Sequence, residues 1–275
     1  ICISLYVMDL ISKEDYKVYE PRRLLFSAVS WVVGPTLGVI LYTEVGPWSP
    51  FLASNIFALM ALAYFWWLRM GANPTLQPAK QNPEHPLLAI VHFFARKNLR
   101  ISYWVVLIRC NFWIVLFLYS PIYIRQAGLD DLYAGLFLST INMFVFTAPL
   151  IGWLASKLGT KTMIFWAYAG LSLWMLVMGL LGEPKPIGLV LWFCAAIFAF
   201  TIDVLGNIPF MRMVKPKERA DMTMVFSTWR DVGEVTTPGV AGLLLAFLPL
   251  QGLFFGLSLA TAGATYLVSH LPKRL

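Results

Sequence analysis

The sequence predicts an all-α polytopic membrane protein, and three observations carry that prediction. The first is composition: 59% of the 275 residues are hydrophobic, 15% aromatic and 13% charged. Mean hydropathy is +0.71, whereas a soluble domain carries about a quarter charged residues. The second is the length of the apolar runs, each near the roughly 20 residues a bilayer-spanning helix needs. The third is where the cations lie. Of the 21 Lys and Arg, all but Arg109, Arg125, Lys185 and Arg230 fall in the segments 10–23, 69–100, 157–161, 212–221 and the tail. That asymmetry places those segments and the C-terminus on the cytoplasmic side. The net charge of +7 is therefore topological. With no contiguous basic face, nucleic acid is not an expected partner.

Eight spans are expected, near 24–42, 48–68, 101–124, 132–156, 162–182, 186–211, 222–248 and 250–271. Residues 1–9 resemble the cytoplasmic end of a preceding helix, so the chain is expected to be part of a longer protein. The Pro-, Asn- and Gln-rich stretch after residue 70 is the best boundary, giving segments 1–70, 71–99 and 100–275. Within the connection, LLAIVHFFARK at 87–97 joins an apolar run to a basic end and is expected to lie along the membrane surface. Loops on the opposite side, such as GEPKP and LPLQ, are short hairpins. Pro35, Pro149, Pro209 and Pro238 fall inside spans, where each removes one backbone hydrogen bond and bends the helix.

Residues 12–41 have a weak echo at 216–245. Lys13 and Glu14 match Lys217 and Glu218, Pro35 matches Pro238 and Gly38 matches Gly242. The offset of about two hundred residues is the length of a six-helix half in transporters built from parallel repeats.

Two motifs add to the echo. The segment GWLASKLGTK (152–161) is similar to the loop signature Gly-x-Leu-Ala-Asp-Arg-x-Gly-Arg-Lys, with Gly152, Leu154, Ala155 and Gly159 matching, basic Lys157 and Lys161, and Ser156 in place of the acid. VVGPTLG (32–38) resembles the fifth-helix motif of proton-driven exporters through Gly34, Pro35 and Gly38. On these motifs and the topology the chain resembles the major facilitator superfamily of secondary transporters. The resemblance implies a helical bundle with eight of twelve transmembrane helices present, numbers five to twelve. It also implies antiport-type efflux, a membrane location, a full-length monomer, and Gly152, Lys157, Gly159 and Lys161 as conformational-switch residues together with Gly34, Pro35 and Gly38.

Ionisable side chains inside spans are functional-site candidates because burying them is costly. Arg109 is such a residue, able to clamp an anionic group or pair across the bundle, with Asn111 and Trp113 beside it. Asp203 and Asn207 share a face at i, i+4. Asp203 is the leading proton-coupling carboxylate, since a proton there removes a charge from low dielectric, with an ion pair to Arg230 as the structural alternative. Arg230, Asp231 and Glu234 cluster in the next span, where Arg230 and Glu234 are spaced to neutralise each other and Glu234, the deeper acid, is the second candidate for protonation. Asn142 is a further cavity candidate. Cys2, Cys110 and Cys194 sit in apolar segments as thiols, and the three His lack ligand spacing, so neither a metal nor a cofactor is expected. The function expected is movement of a small organic solute across the membrane, coupled to protons. The alternatives are a polytopic enzyme or lipid-handling protein, or a fragment without activity. An enzyme is not expected, because no catalytic constellation and no nucleotide-binding glycine loop occur.

Overall fold

The structure, a computed structural model, describes residues 7–26, 41, 45–68, 85–129 and 132–272. Gly34, Pro35 and Gly38, and most of the expected 24–42 span, lie outside the described residues. Among the described residues every regular element is helical. After a helical turn at 7–10, α1 covers 16–26. Next come α2 (Ser49–Trp67), α3 (Pro86–Ala95), α4 (Lys97–Gln126) and α5 (Leu132–Asn142). The remainder are α6 (Ala148–Leu158), α7 (Thr160–Leu180), α8 (Ile187–Leu205), α9 (Ile208–Met213), α10 (Arg219–Ser227), α11 (Trp229–Phe247) and α12 (Leu250–Ser269).

Six helical segments among the described residues are long and apolar enough to cross a membrane: 49–67, 97–126, 133–158, 160–180, 187–213 and 250–269. The expected 222–248 span differs. It is two helices, α10 and α11, meeting at Thr228, where the ladder tightens to a Thr228 N–H to Val225 carbonyl bond of 3.2 Å. Two other spans are interrupted for a reason written in the sequence. Pro149 cannot donate to the Val145 carbonyl, and a 3₁₀ stretch at Met143–Thr147 joins α5 to α6. Pro209 cannot donate to Leu205, and α8 gives way to α9 at Gly206 and Asn207.

The core of the bundle is formed where α7 packs on α8 and α12, and α4 on α11 and α12. Aromatic rings fill one end: Trp192 lies edge-on to Tyr123 at 5.7 Å and to Phe254 at 5.3 Å. The Tyr123 hydroxyl donates to the Lys185 carbonyl at 3.0 Å, satisfying its polar tip. By contrast α2 is apolar all round, and only Ser49 is buried. The helix expected at 87–97 forms as α3, with Ala89 and Phe93 fully buried and Leu87 and Val91 exposed. Phe93 meets Tyr103 and Phe210, and Arg96 closes the segment by donating to Glu218 at 2.8 Å.

Residues 7–26 are tied to the other helices at the basic end. Asp9 and Arg219 form an ion pair with side chains 12% and 11% exposed. Lys13 Nζ donates to the Arg212 carbonyl at 2.9 Å, and Arg212 Nε donates back to the Lys13 carbonyl at 3.0 Å. Tyr16 is fully buried beneath this seam. Burial pushes its phenol above the ordinary tyrosine range, against the nearby Arg219, so it stays neutral.

Candidate functional site

A cavity of about 380 Å³ lies between α1, α4, the α5–α6 segment, the α8–α9 break and α11. Arg109 of α4 reaches it from the core with 5% of its surface exposed. Its Nε lies 3.0 Å from Asp203 Oδ1 of α8, as an ion pair off the alignment of a hydrogen bond. The partner of Asp203 is thus Arg109, in place of the Arg230 considered from sequence. Helix geometry explains the meeting: Arg109 lies deep in a 30-residue helix, and Asp203 lies in the last turn before the α8 ladder stops. The break then turns Asn207 into the cavity with its buried Oδ1 unpartnered.

Trp229, at the start of α11, has two cations over its ring. The Arg109 guanidinium lies 4.7 Å from its ring centroid and that of Arg230 lies 5.5 Å away. Contacts of this kind stabilise by roughly 0.5–2 kcal/mol, more when dry. Trp113 stacks on Phe117 at 6.0 Å, and its buried indole N–H faces the Asp203 carboxylate. Asn142 completes the polar lining. The wall opposite is α1, whose Glu20 is 3% exposed and accepts from Arg23 at 2.7 Å, leaving its second carboxylate oxygen unpartnered.

Six predicted residues therefore converge: Arg109, Trp113, Asn142, Asp203, Asn207 and Arg230. Three do not. Asn111 faces a separate small cavity, where its Oδ1 accepts from Thr237 at 2.9 Å. Asp231 and Glu234 are exposed outside the cavity lining, and Arg230 forms no ion pair with Glu234 among the described residues. Of α11 only Trp229 and Arg230, at its start, reach the cavity lining; Glu234 lies one turn further along the helix and does not. The sequence reading passed over Glu20 and Arg23. Their signal was the i, i+3 acid–base pair flanking Pro21 in YEPRR.

The described residues expected to act as a switch, Gly152, Lys157, Gly159 and Lys161, sit at the basic end. Gly152 of α6 faces α1 so closely that an added Cβ would come within 2.6 Å of Pro21 Cγ and 2.9 Å of the Lys17 carbonyl. Gly159 has φ +88°, a conformation that favours glycine, and turns the chain from α6 into α7. Lys157 stacks over Trp153 at 3.8 Å. Lys161 Nζ donates to the Ser269 carbonyl at 2.7 Å and to that of Leu271. Among the described residues no group of three His, Cys, Asp or Glu is placed to hold a metal ion.

Membrane-length helices broken by proline around a charged cavity define a polytopic transporter-type bundle. The chain belongs to the Major Facilitator Superfamily, whose family model matches residues 6–238. Among solved structures it is similar to a bacterial homologue of the iron transporter ferroportin in an outward-facing state, with a TM-score of 0.73 and 12% identity. The alignment covers 96% of this chain and 65% of that one, so the chain spans 65% of the length of the structure it matches. No curated protein matches the chain.

Proposed function

We propose that the full-length protein is a secondary active transporter that exports a small organic solute in exchange for protons, by alternating access. The observation that carries this reading is the Arg109–Asp203 pair in the wall of the cavity. An ion pair held in low dielectric is a two-state element. A proton on Asp203 removes one charge and releases Arg109, and its loss restores the attraction. A solute bearing a donor group uses the same carboxylate and is excluded while the proton is bound, which is the logic of exchange. The unpartnered Asn207 Oδ1 offers it an acceptor, and Phe117, Phe200 and Trp229 offer apolar walls. The structural neighbour is described as an iron transporter homologue. Here the two cavity carboxylates are each tied to an arginine, which favours an organic solute over a metal ion.

In this reading residues 1–70 are the end of the first six-helix half, 71–99 the linker and 100–275 the second half. Eight of twelve helices are present, in a monomer of the bacterial inner membrane, with the basic end and the C-terminus cytoplasmic. The seam of Asp9–Arg219, Lys13–Arg212 and Gly152 on Pro21 closes that end and opens as the halves rock. The export direction is supported by the resemblance of residues 32–38 to the exporter motif.

The test is a pH jump across proteoliposomes holding the full-length protein, with efflux followed for a panel of small organic solutes. Wild type is expected to accumulate at least one solute against its gradient, and Asp203→Asn to insert normally but lose the pH-driven component. Unchanged pH-driven transport in that variant removes Asp203 from coupling.

A further inference from the structure

Outside the transport cavity, a groove of about 400 Å³ runs between the start of α4 and the end of α12, open to the surface of the bundle. We propose that it holds the headgroup of an anionic phospholipid, with the start of one acyl chain lying along it. Its mouth carries Lys97 and Arg100, one turn apart on α4, and no carboxylate lines it. Lys97 has no ion-pair partner among the described residues. Arg100 spends one N–H on the Phe94 carbonyl at 3.2 Å, which leaves the rest of its donor fork to a phosphate.

The backbone around the mouth is arranged to the same end. The N-terminus of α4 brings the positive end of its dipole to this end of the helix pair. The end of α12 would repel a phosphate through its exposed carbonyls, but Lys161 covers those of Ser269 and Leu271. His270 is held against Tyr266, with Nδ1 3.0 Å from the Tyr266 carbonyl, and closes the end of the groove.

Away from the charges the groove turns apolar and aromatic. Ile101, Trp104 and Leu267 line it, with Trp104 43% and Tyr266 67% exposed. In a helix pair that crosses a bilayer, such exposed rings mark the level of the interface. Cations at the rim and an apolar path running inward match an anionic glycerophospholipid and not a soluble phosphate. A second groove shares Lys97 with Arg96 and Lys215, but Arg96 is engaged by Glu218. The neighbouring α3 presents Leu87 and Val91 outward, an apolar face suited to the lipid surface.

Native mass spectrometry of the full-length protein, titrated with phosphatidylglycerol or phosphatidylcholine, tests the assignment. A basic residue at a membrane surface contributes about five-fold in affinity for anionic lipid. The double variant K97Q/R100Q should therefore bind the first phosphatidylglycerol about thirty-fold more weakly, and phosphatidylcholine unchanged. K97Q alone should lose about five-fold, which keeps the test available if the double variant fails to fold. The charge-matched R22Q/K217Q, at exposed sites elsewhere on the basic end, should stay within two-fold of wild type. An equal loss in R22Q/K217Q, or none in K97Q/R100Q, overturns the site in favour of diffuse surface charge. Displacement of the bound lipid by millimolar inorganic phosphate overturns the lipid as its occupant.

Discussion

Neutralising one member of the Arg109–Asp203 pair should cost far more than neutralising both. Asp203→Asn leaves the Arg109 guanidinium, 5% exposed, with only the Trp229 face at 4.7 Å to offset its lost counter-charge. Removing one partner of a buried pair costs about 3–5 kcal/mol, and a cation–π contact returns at most about 2 kcal/mol of that. A net loss of about 1–3 kcal/mol is expected, or about 2–12 °C in Tm at about 2–4 °C per kcal/mol. Arg109→Gln should lose a similar amount, because it strands the carboxylate. The double variant R109Q/D203N removes both charges and should regain about 2 kcal/mol relative to the sum of the singles, a coupling within the range for contacting groups. The assay is thermal unfolding of the four purified full-length proteins in one detergent, with pH-driven flux measured on the same preparations. Additive Tm losses, with no recovery in the double variant, would refute the pairing. Recovered stability without recovered pH-driven flux would match a pair that holds the fold as an ion pair and drives transport through its proton.

Gly152→Val should drive Cγ atoms into Pro21 and the Lys17 carbonyl, already 2.6 and 2.9 Å from a bare Cβ. Transport is expected to fall at least ten-fold with insertion intact, and spin labels on α1 and α6 should report a wider basic end. Arg219→Gln removes the ion pair with Asp9, worth about 2 kcal/mol for a charge-assisted contact of this burial. That shifts the closed-to-open ratio of the basic end about thirty-fold, read by cross-linking across the seam, and the swap D9R/R219D should restore much of it. Asn207→Ala takes away the unpartnered Oδ1 in the α8–α9 break. It should raise the solute KM about five- to ten-fold while leaving thermal stability within about 0.5 kcal/mol of wild type.

Much of the bundle was legible because membrane helices are written in long apolar runs and cation-rich loops. The family was legible from GWLASKLGTK and the topology. Helix interruptions were legible at Pro149 and Pro209, since a missing N–H is a local property. The α10–α11 break at Thr228 was not, for no proline or glycine marks it. Its Thr228 hydroxyl instead bonds the Val225 carbonyl at 2.8 Å and meets Tyr103 Oη at 3.1 Å, a partner 125 residues away.

The candidate site divides in the same manner. Arg109, Asp203 and Asn207 stood out because a charge or amide inside an apolar run is costly wherever it points. Which charges meet depended on helix rotation. Arg109 takes Asp203, Arg230 shares Trp229, and Asp231 and Glu234 turn outward although they neighbour Arg230 in the chain. Glu20 and Arg23 entered the cavity wall only because α1 seats on Gly152. By itself the sequence determined the solvent, the class of fold and the list of expensive side chains, all of them properties of composition and local pattern. The tertiary structure decided the pairing, because an ion pair between residues 94 positions apart depends on how two helices cross, and the crossing is set by packing across the whole bundle.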